Sequence, residues 1–186
     1  DDGSELAADL VVVGVGAVPN DELAAAAGLR TGNGVAVDSR LRVLDAAGQA
    51  VEHVLAAGDV ASFEWPALGR RLRIEHEDNA YSMGSYAGKA MATAEVGTPY
   101  DHLPFFYSDL FDNGYEAVGL LDPRLTVVED WRQPGKEGVV YYLEDGRVRG
   151  VLLWNTWGQV DAARDLISHP GPHAPEDLIG RLPEDD

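Results

Sequence analysis

A change in sequence character at Gly97-Thr98-Pro99 constrains the fold of this chain more than any other feature. Before it, apolar runs end at glycines and a stretch with helical spacing follows; after it, short segments alternate with tight-turn signals such as Asp145-Gly146. Buried apolar runs are typical of parallel sheets, whereas short strands joined by tight turns form antiparallel sheets. The sequence therefore predicts an α/β module over residues 1–98 and an antiparallel α+β module over residues 99–168. We expect the acidic, proline-containing residues 169–186 to form a loosely held, flexible tail.

The first module contains two apolar runs that each end at a glycine. Residues 10–13 form a continuous apolar run of one leucine and three β-branched valines, which predicts a strand buried on both faces of a parallel sheet. Residues 51–57 form the next strand, so that Asp59 follows its carboxyl end, where α/β folds bind ligands. A short helix capped by Asn20 or Asp21 separates the two runs, and small residues at three- and four-residue spacing predict a second helix over residues 80–95.

The second module reads as a series of short strands closed by a helix. The helix is predicted over residues 160–167. The strands are predicted over residues 105–110, 115–121, 126–131, 138–144 and 148–154.

Composition excludes several kinds of function. The 14 Lys and Arg against 32 Asp and Glu give a net charge of −18, which repels nucleic acids and anionic membranes, and no apolar run reaches the ~20 residues of a membrane span. Because the chain has no cysteine, redox chemistry would depend on a bound cofactor. We therefore expect a soluble, cytoplasmic protein. A local basic patch of Arg70, Arg71 and Arg73 could still dock an acidic protein.

Four segments follow one another along the chain, namely ADLVVVGVGAVPN, VLAAGDVA, GRRLRIEHEDNAYSMG and LPFFYSDLFDNGYEAVG. Together they resemble the ferredoxin-reductase and apoptosis-inducing-factor family of FAD-dependent NAD(P)H oxidoreductases, over residues 8–168. The resemblance implies the C-terminal part of an FAD/NAD(P)-binding Rossmann-like domain, followed by a small antiparallel-sheet domain. The cofactors it implies are FAD and NAD(P)H.

The resemblance also assigns residues to the two cofactors. Gly14, Val15 and Gly16 would pass beside the dinucleotide, where the absence of a Cβ permits close approach. Gly58-Asp59 corresponds to the motif whose carboxylate accepts hydrogen bonds from the flavin's ribityl hydroxyls, and a carboxylate offers several acceptor sites for a polyol.

The third and fourth segments would surround the flavin ring. Glu75, His76, Glu77 and Ala80 belong to a stretch that lies along the ring in the relatives, where a helix N-terminus favours negative charge. Tyr107 stands where relatives usually place a tryptophan against the ring. The alternatives are a surface charge cluster or a zinc site for Glu75, His76 and Glu77, and ordinary strand packing for Tyr107. We predict no metal site, because adjacent side chains rarely converge on one ion.

No G-x-G-x-x-G motif follows a strand in this sequence. In the family these phosphate cradles lie upstream, so the resemblance implies that the chain lacks the N-terminal half of its own protein and has little activity alone. The parent would move electrons from NAD(P)H through FAD to a ferredoxin-like or other acceptor. No residue is predicted to act as a catalytic acid, base or nucleophile. The alternative is a non-catalytic interaction module that forms a homodimer or docks a partner.

Overall fold

A computed structural model describes residues 3–93, 97–169 and 171–182, and its elements follow the chain in two groups. The first group is α1 (Glu22–Ala26), β1 (Thr31–Gly32), β2 (Gly34–Ala36), β3 (Arg42–Leu44), β4 (Ala50–Leu55), β5 (Ala61–Trp65), β6 (Arg70–Arg73) and α2 (Glu77–Thr93). The second is β7 (Phe105–Leu110), β8 (Asn113–Gly119), β9 (Thr126–Gln133), β10 (Glu137–Glu144), β11 (Arg147–Trp154) and α3 (Val160–Ser168). Short 3₁₀ turns occupy Gly58–Val60 and Pro175–Asp177.

The first group forms a mixed sheet and a separate hairpin. The sheet has the order β1-β2-β5-β6, in which only β2 and β5 run parallel, and β3 pairs with β4 in an antiparallel hairpin. The predicted strand at residues 51–57 is therefore present as β4, but it belongs to a hairpin with exposed residues. The helix predicted over residues 80–95 begins three residues earlier, at Glu77, and is described as far as Thr93.

The prediction of a buried parallel strand at residues 10–13 is wrong for this chain. These residues form no strand, and their side chains are between 72% and 87% exposed. A strand needs a neighbour to pair with its backbone N–H and C=O groups, and none of the described strands pairs with this segment. The short helix nearby is present as α1, after an N-cap residue, Asp21, whose side chain makes no capping hydrogen bond.

The second group forms the predicted antiparallel sheet, with the order β7-β8-β11-β10-β9. All five predicted strands are present, and each differs from its prediction by at most a few terminal residues. Helix α3 packs on β8 and β11 and buries Ala163, Leu166 and Ile167. The amphipathic pattern of the closing helix is thus confirmed.

The two groups share one hydrophobic cluster and a charged bridge. Buried residues of both groups, such as Phe63 and Tyr141, belong to the same cluster. Beside it, Nη2 of Arg70 in β6 lies 2.7 Å from Oε1 of Glu144 in β10. Nη1 of Arg149 in β11 donates a hydrogen bond of 3.0 Å to the backbone carbonyl oxygen of Ala67. The modules therefore pack against each other, and a boundary between residues 98 and 99 stays a prediction.

The arginines of the predicted basic patch, Arg70, Arg71 and Arg73, make contacts within the chain. Arg70 is paired with Glu144, and Arg71 donates to the carbonyl oxygens of Val37 and Ser62. The side chain of Arg73 is only 9% exposed. These side chains therefore contribute to the packing of the chain, and docking of an acidic protein at this patch stays a prediction.

Part of the predicted loose tail is packed. Leu178 is fully buried, Leu182 is 7% exposed, and the backbone N–H of Gly180 donates to Asp130 at 2.7 Å. The apolar side chains join the hydrophobic cluster, so the prediction is wrong for these described residues. Pro170 and residues 183–186 lie outside the described residues. Within the described ranges, no helix is both long and apolar enough to cross a bilayer.

Candidate functional site

A cleft of about 500 Å³ opens between the end of β6 and the end of β8. Its size is within the ~300–1,000 Å³ range typical of small-molecule sites. We call it the β6–β8 cleft, and it is lined by Leu72, Arg73, Ile74, Glu75, His76, Phe106, Gly119, Leu120 and Leu121. Its walls are mostly apolar, and charged side chains stand on the β6 side.

The amino end of α2 and the turn after β4 meet beside this cleft. Gly58 adopts φ of +73°, and a Cβ placed on it would lie 3.5 Å from the Cα and Cβ of Ala80. The two backbones therefore approach closely, which brings Asp59 toward the start of α2. The predicted convergence of Gly58, Asp59 and Ala80 is present, with the side chain of Asp59 exposed.

His76 provides the half-buried imidazole of the cleft. Its ring packs against Phe106, with centroids 4.6 Å apart and planes tilted by 42°. Burial lowers the pKa of His76, while the carboxylates of Asp78, Asp59 and Glu75 act in the opposite direction. Its Nδ1 is buried and has no hydrogen-bond partner among the described residues, so it is an unsatisfied polar atom beside the cleft.

Arg73 connects the elements around the cleft. Its guanidinium donates to the backbone oxygen of Asp59 at 3.0 Å, to the side chain of Asn33 at 3.0 Å and to the carboxylate of Glu75. Nη2 also lies 3.4 Å from the carbonyl oxygen of Ala17. Arg73 thus fixes Glu75 and Asp59 relative to each other, and it contacts the segment that follows Gly14, Val15 and Gly16.

Gly14, Val15 and Gly16 are all exposed in the described structure. Val15 is 89% exposed, and a Cβ on Gly14 or Gly16 would meet no described atom within 4 Å. Gly16 has φ of +89°, a conformation that favours glycine. Glu77, also predicted here, is the exposed first residue of α2.

Tyr107 is not placed in the cleft. Side chains alternate along a strand, and β7 directs Phe106 toward His76, whereas Tyr107 lies near Phe105, with ring centroids 6.4 Å apart. Tyr107 is 61% exposed. The aromatic wall predicted from the fourth segment is therefore formed by its neighbour, and contact between Tyr107 and a flavin stays a prediction.

The arrangement suits a flat aromatic ligand with polar edges and a hydroxylated chain. Apolar side chains can cover a ring, the imidazole nitrogen of His76 can hydrogen bond to its edge, and Asp59 can accept from hydroxyl groups. The residues present therefore fit the isoalloxazine and ribityl parts of a flavin. In the described part of the chain, no group of three or more His, Cys, Asp or Glu could hold a metal ion.

Sequence reasoning missed Arg73 and Phe106 as residues of this site. The sequence places Arg73 in a basic patch with Arg70 and Arg71, although neighbouring residues such as Leu72 and Arg73 of β6 face opposite sides of a strand. Which face of the strand meets the cleft depends on how the sheets pack around it, and the sequence alone does not give this packing.

Comparison with known proteins agrees with this geometry. Residues 1–84 match the family described as pyridine nucleotide-disulphide oxidoreductase, and residues 132–169 match the C-terminal region described for mitochondrion-associated apoptosis-inducing factor. The chain is 36% identical over 178 residues to apoptosis-inducing factor 1 of Dictyostelium discoideum, covering 89% of this chain and 32% of that protein. It is 33% identical to the putidaredoxin reductase of Pseudomonas putida, covering 97% of this chain and 40% of that protein.

A solved structure gives the same result for the fold. The crystal structure of the covalent putidaredoxin reductase–putidaredoxin complex superposes with a TM-score of 0.77 at 30% identity, over 96% of this chain and 41% of the other. The predicted fold class is confirmed. The chain spans about a third to two fifths of the length of the curated relatives named above.

Proposed function

Because the chain belongs to the pyridine nucleotide-disulphide oxidoreductase family, whose members use FAD and NAD(P)H, we propose that it is the C-terminal portion of an FAD-dependent NAD(P)H reductase. The whole protein would move electrons from NAD(P)H through FAD to a ferredoxin-like or other acceptor. The observation that supports this proposal is the close approach of Gly58 to Ala80 at the start of α2, beside a cleft that His76 lines.

Each residue would contribute to holding the flavin. Asp59 would accept hydrogen bonds from the ribityl hydroxyls, and Nδ1 of His76, which is buried without a partner among the described residues, would bond to the ring edge. The amino end of α2, from Glu77 to Ala80, would favour negative charge nearby. FAD, when bound, supplies the hydride and single-electron chemistry, and the chain positions it and excludes water.

Two further predicted contacts complete the proposed site. Gly14, Val15 and Gly16 would lie beside NAD(P)H, and the contact of Arg73 with Ala17 supports their approach to the cleft. Tyr107 would contact the flavin only from the exposed side of β7, so Phe106 is the stronger candidate for the ring wall.

The acceptor and the assembly are also part of the proposal. The similar solved structure contains putidaredoxin bound to its reductase, and this supports a ferredoxin-like partner here. A homodimer and a cytoplasmic location stay predictions; one similar curated relative is named as mitochondrial. We propose that the chain needs the missing N-terminal half for turnover, because the sequence contains no glycine-rich phosphate cradle.

Flavin binding tests the site directly. Titration of the 186-residue chain with riboflavin and with FAD, followed by flavin fluorescence, should give saturable binding. Asp59→Asn should weaken it about 3- to 10-fold, consistent with a weakened charged hydrogen bond at an exposed position. Asp165→Asn, an exposed carboxylate on α3, serves as the matched control. Equal affinity of both variants and the unaltered chain would contradict the role of Asp59.

A turnover assay tests the proposal about the isolated chain. We expect little NAD(P)H oxidation by this chain with added FAD and a ferredoxin-type acceptor. A rate comparable to that of complete reductases would contradict the proposed dependence on the N-terminal half.

The second candidate is a non-catalytic interaction module. It is favoured by the match of residues 132–169, which span β10, β11 and α3, to the C-terminal region of apoptosis-inducing factor. A purified chain that binds no flavin but sediments as a concentration-independent dimer would favour this reading over the first.

A further inference from the structure

A polar cluster outside the cleft joins the start of α2 to the start of β7. Asp78 lies in the first turn of α2, and its Oδ2 is 2.7 Å from Nε2 of His102 and 3.1 Å from Nη2 of Arg164. The backbone N–H of Phe105 donates to the same oxygen at 3.2 Å. A carboxylate only accepts, so Nε2 of His102 donates to it. One half-buried carboxylate atom therefore gathers three donors from two other parts of the chain.

Arg164 extends this cluster to α3. Its Nε donates to the carbonyl oxygen of Leu103 at 2.8 Å, and its guanidinium lies 5.4 Å from the centroid of the Phe105 ring. Nη1 pairs with Asp161 at 2.9 Å, but the side chain of Asp161 is 92% exposed. The planar guanidinium thus holds the backbone before β7 by several hydrogen bonds of fixed direction. The ammonium group of a lysine does not have this fixed arrangement of donors.

The cluster stands between the two sides of the cleft wall. His76 precedes Asp78 by two residues, and Phe106 follows Phe105 directly. Each of the two rings in the His76–Phe106 contact therefore lies within two residues of a member of the polar cluster along the chain. Asp78 and Arg164 are each about one fifth to one quarter exposed, so their attraction is less screened than that of a surface pair.

We propose that Asp78 and Arg164 are positioning residues that hold α2 and β7 at the spacing required for Phe106 to pack on His76. They touch neither side of the cleft themselves. Their importance for a flavin rests on the proposed function, whereas the geometry of the wall can be tested in the chain without any flavin.

The test is the nuclear magnetic resonance signal of the His76 ring protons. With Phe106 only 4.6 Å away, its ring current should shift these protons from the positions of an exposed histidine. His76→Gln assigns the signal by removing it. Arg164→Gln should move it measurably toward the exposed position, while the signals of His169 and His173 stay in place. Asp161→Asn removes only the exposed contact of the same guanidinium and should leave His76 unchanged.

Two more variants make the result decisive. Arg164→Lys keeps the charge but loses the bond to Leu103, so an intermediate shift is expected even if Arg164→Gln does not fold. Asp78→Asn should also displace the signal. This variant removes one of the carboxylates near the His76 ring. It leaves the carboxylates of Asp59 and Glu75 and the guanidinium of Arg73, which lines the same cleft. A folded Arg164→Gln or Arg164→Lys variant with an unchanged His76 signal would overturn the proposal. A displaced His76 signal in these variants, together with no riboflavin binding by the unaltered chain, would support the positioning role and count against the proposed flavin site.

Discussion

Gly119→Ala should destabilise the chain at one edge of the β6–β8 cleft. Gly119 ends β8 with φ of +75°, lines the β6–β8 cleft and pairs with Gly150 of β11. A Cβ at this position would lie 3.3 Å from the carbonyl carbon of Arg149, closer still to its oxygen, and 3.0 Å from Cδ1 of Ile167. That carbonyl already accepts the backbone N–H of Leu120, so the methyl group would displace a hydrogen bond as well.

The expected cost has two parts. Left-handed backbone costs a residue with a Cβ about 1–2 kcal/mol, and overpacking against backbone atoms costs about 1–3 kcal/mol. Together they lower the free energy of unfolding by about 2–5 kcal/mol, if both apply in full. For a chain of this size each kcal/mol corresponds to about 2–4 °C in Tm, so we expect Tm to fall by about 4–20 °C.

Thermal unfolding followed by circular dichroism measures this change. Gly84→Ala is the control, because Gly84 lies within α2 with no described atom within 4 Å of its Cβ position. Alanine is favoured over glycine in a helix by up to about 1 kcal/mol, so this variant should be slightly more stable. A Gly119→Ala protein that melts at the temperature of the unaltered chain would refute the argument about close approach of β8 and β11.

Three further predictions concern titration and packing. Burial lowers the pKa of His76 below its ordinary value of 6.5, so the imidazole binds a proton more readily in the unfolded chain than in the folded one. The free energy of unfolding should therefore fall as pH drops below about 6.5. In denaturant titrations at successive pH values, His76→Gln should show a smaller fall. Burial raises the pKa of Tyr100 and of Tyr141 to about 12, so two phenols should ionise late in an ultraviolet titration, and stability should decline as pH rises from 10 toward 12, whereas ionisation of all tyrosines near pH 10 in the folded chain would contradict this. Leu178→Ala should cost about 2–5 kcal/mol in chemical unfolding because Leu178 is fully buried, while Ile179→Ala, at 53% exposure, should cost far less; equal effects would show that the tail is not packed.

Local signals explain which parts of the fold the sequence could predict. The Asp145-Gly146 turn joins β10 and β11, whose pairing runs from Glu144 and Arg147 up to Gly138 and Trp154. A tight turn brings the flanking residues together without help from the rest of the chain, so alternation and turn chemistry sufficed for this sheet. The helix α3 was equally accessible, since its apolar residues follow a period that one helix face imposes.

Long-range partners explain the errors. Residues 10–13 have the composition of a buried strand, but burial and pairing require a neighbouring strand, and none of those described lies beside them. Leu178 stands in a proline-containing acidic segment, yet it is buried because it joins the hydrophobic cluster that both groups of elements share. The composition of a segment indicates which secondary structures it can form, whereas the neighbouring elements determine which one it forms and whether it is buried.

The candidate site divides in the same way. The motifs of the sequence pointed to Asp59 and His76 through their resemblance to the family, and the contact of these two residues with a flavin stays a prediction. Only the tertiary structure decided that Phe106 rather than Tyr107 packs on His76, and that Arg73 turns inward to join Asp59, Glu75 and Ala17. Alternation along a strand separates its two faces, but the elements packed on each face decide which one meets the cleft.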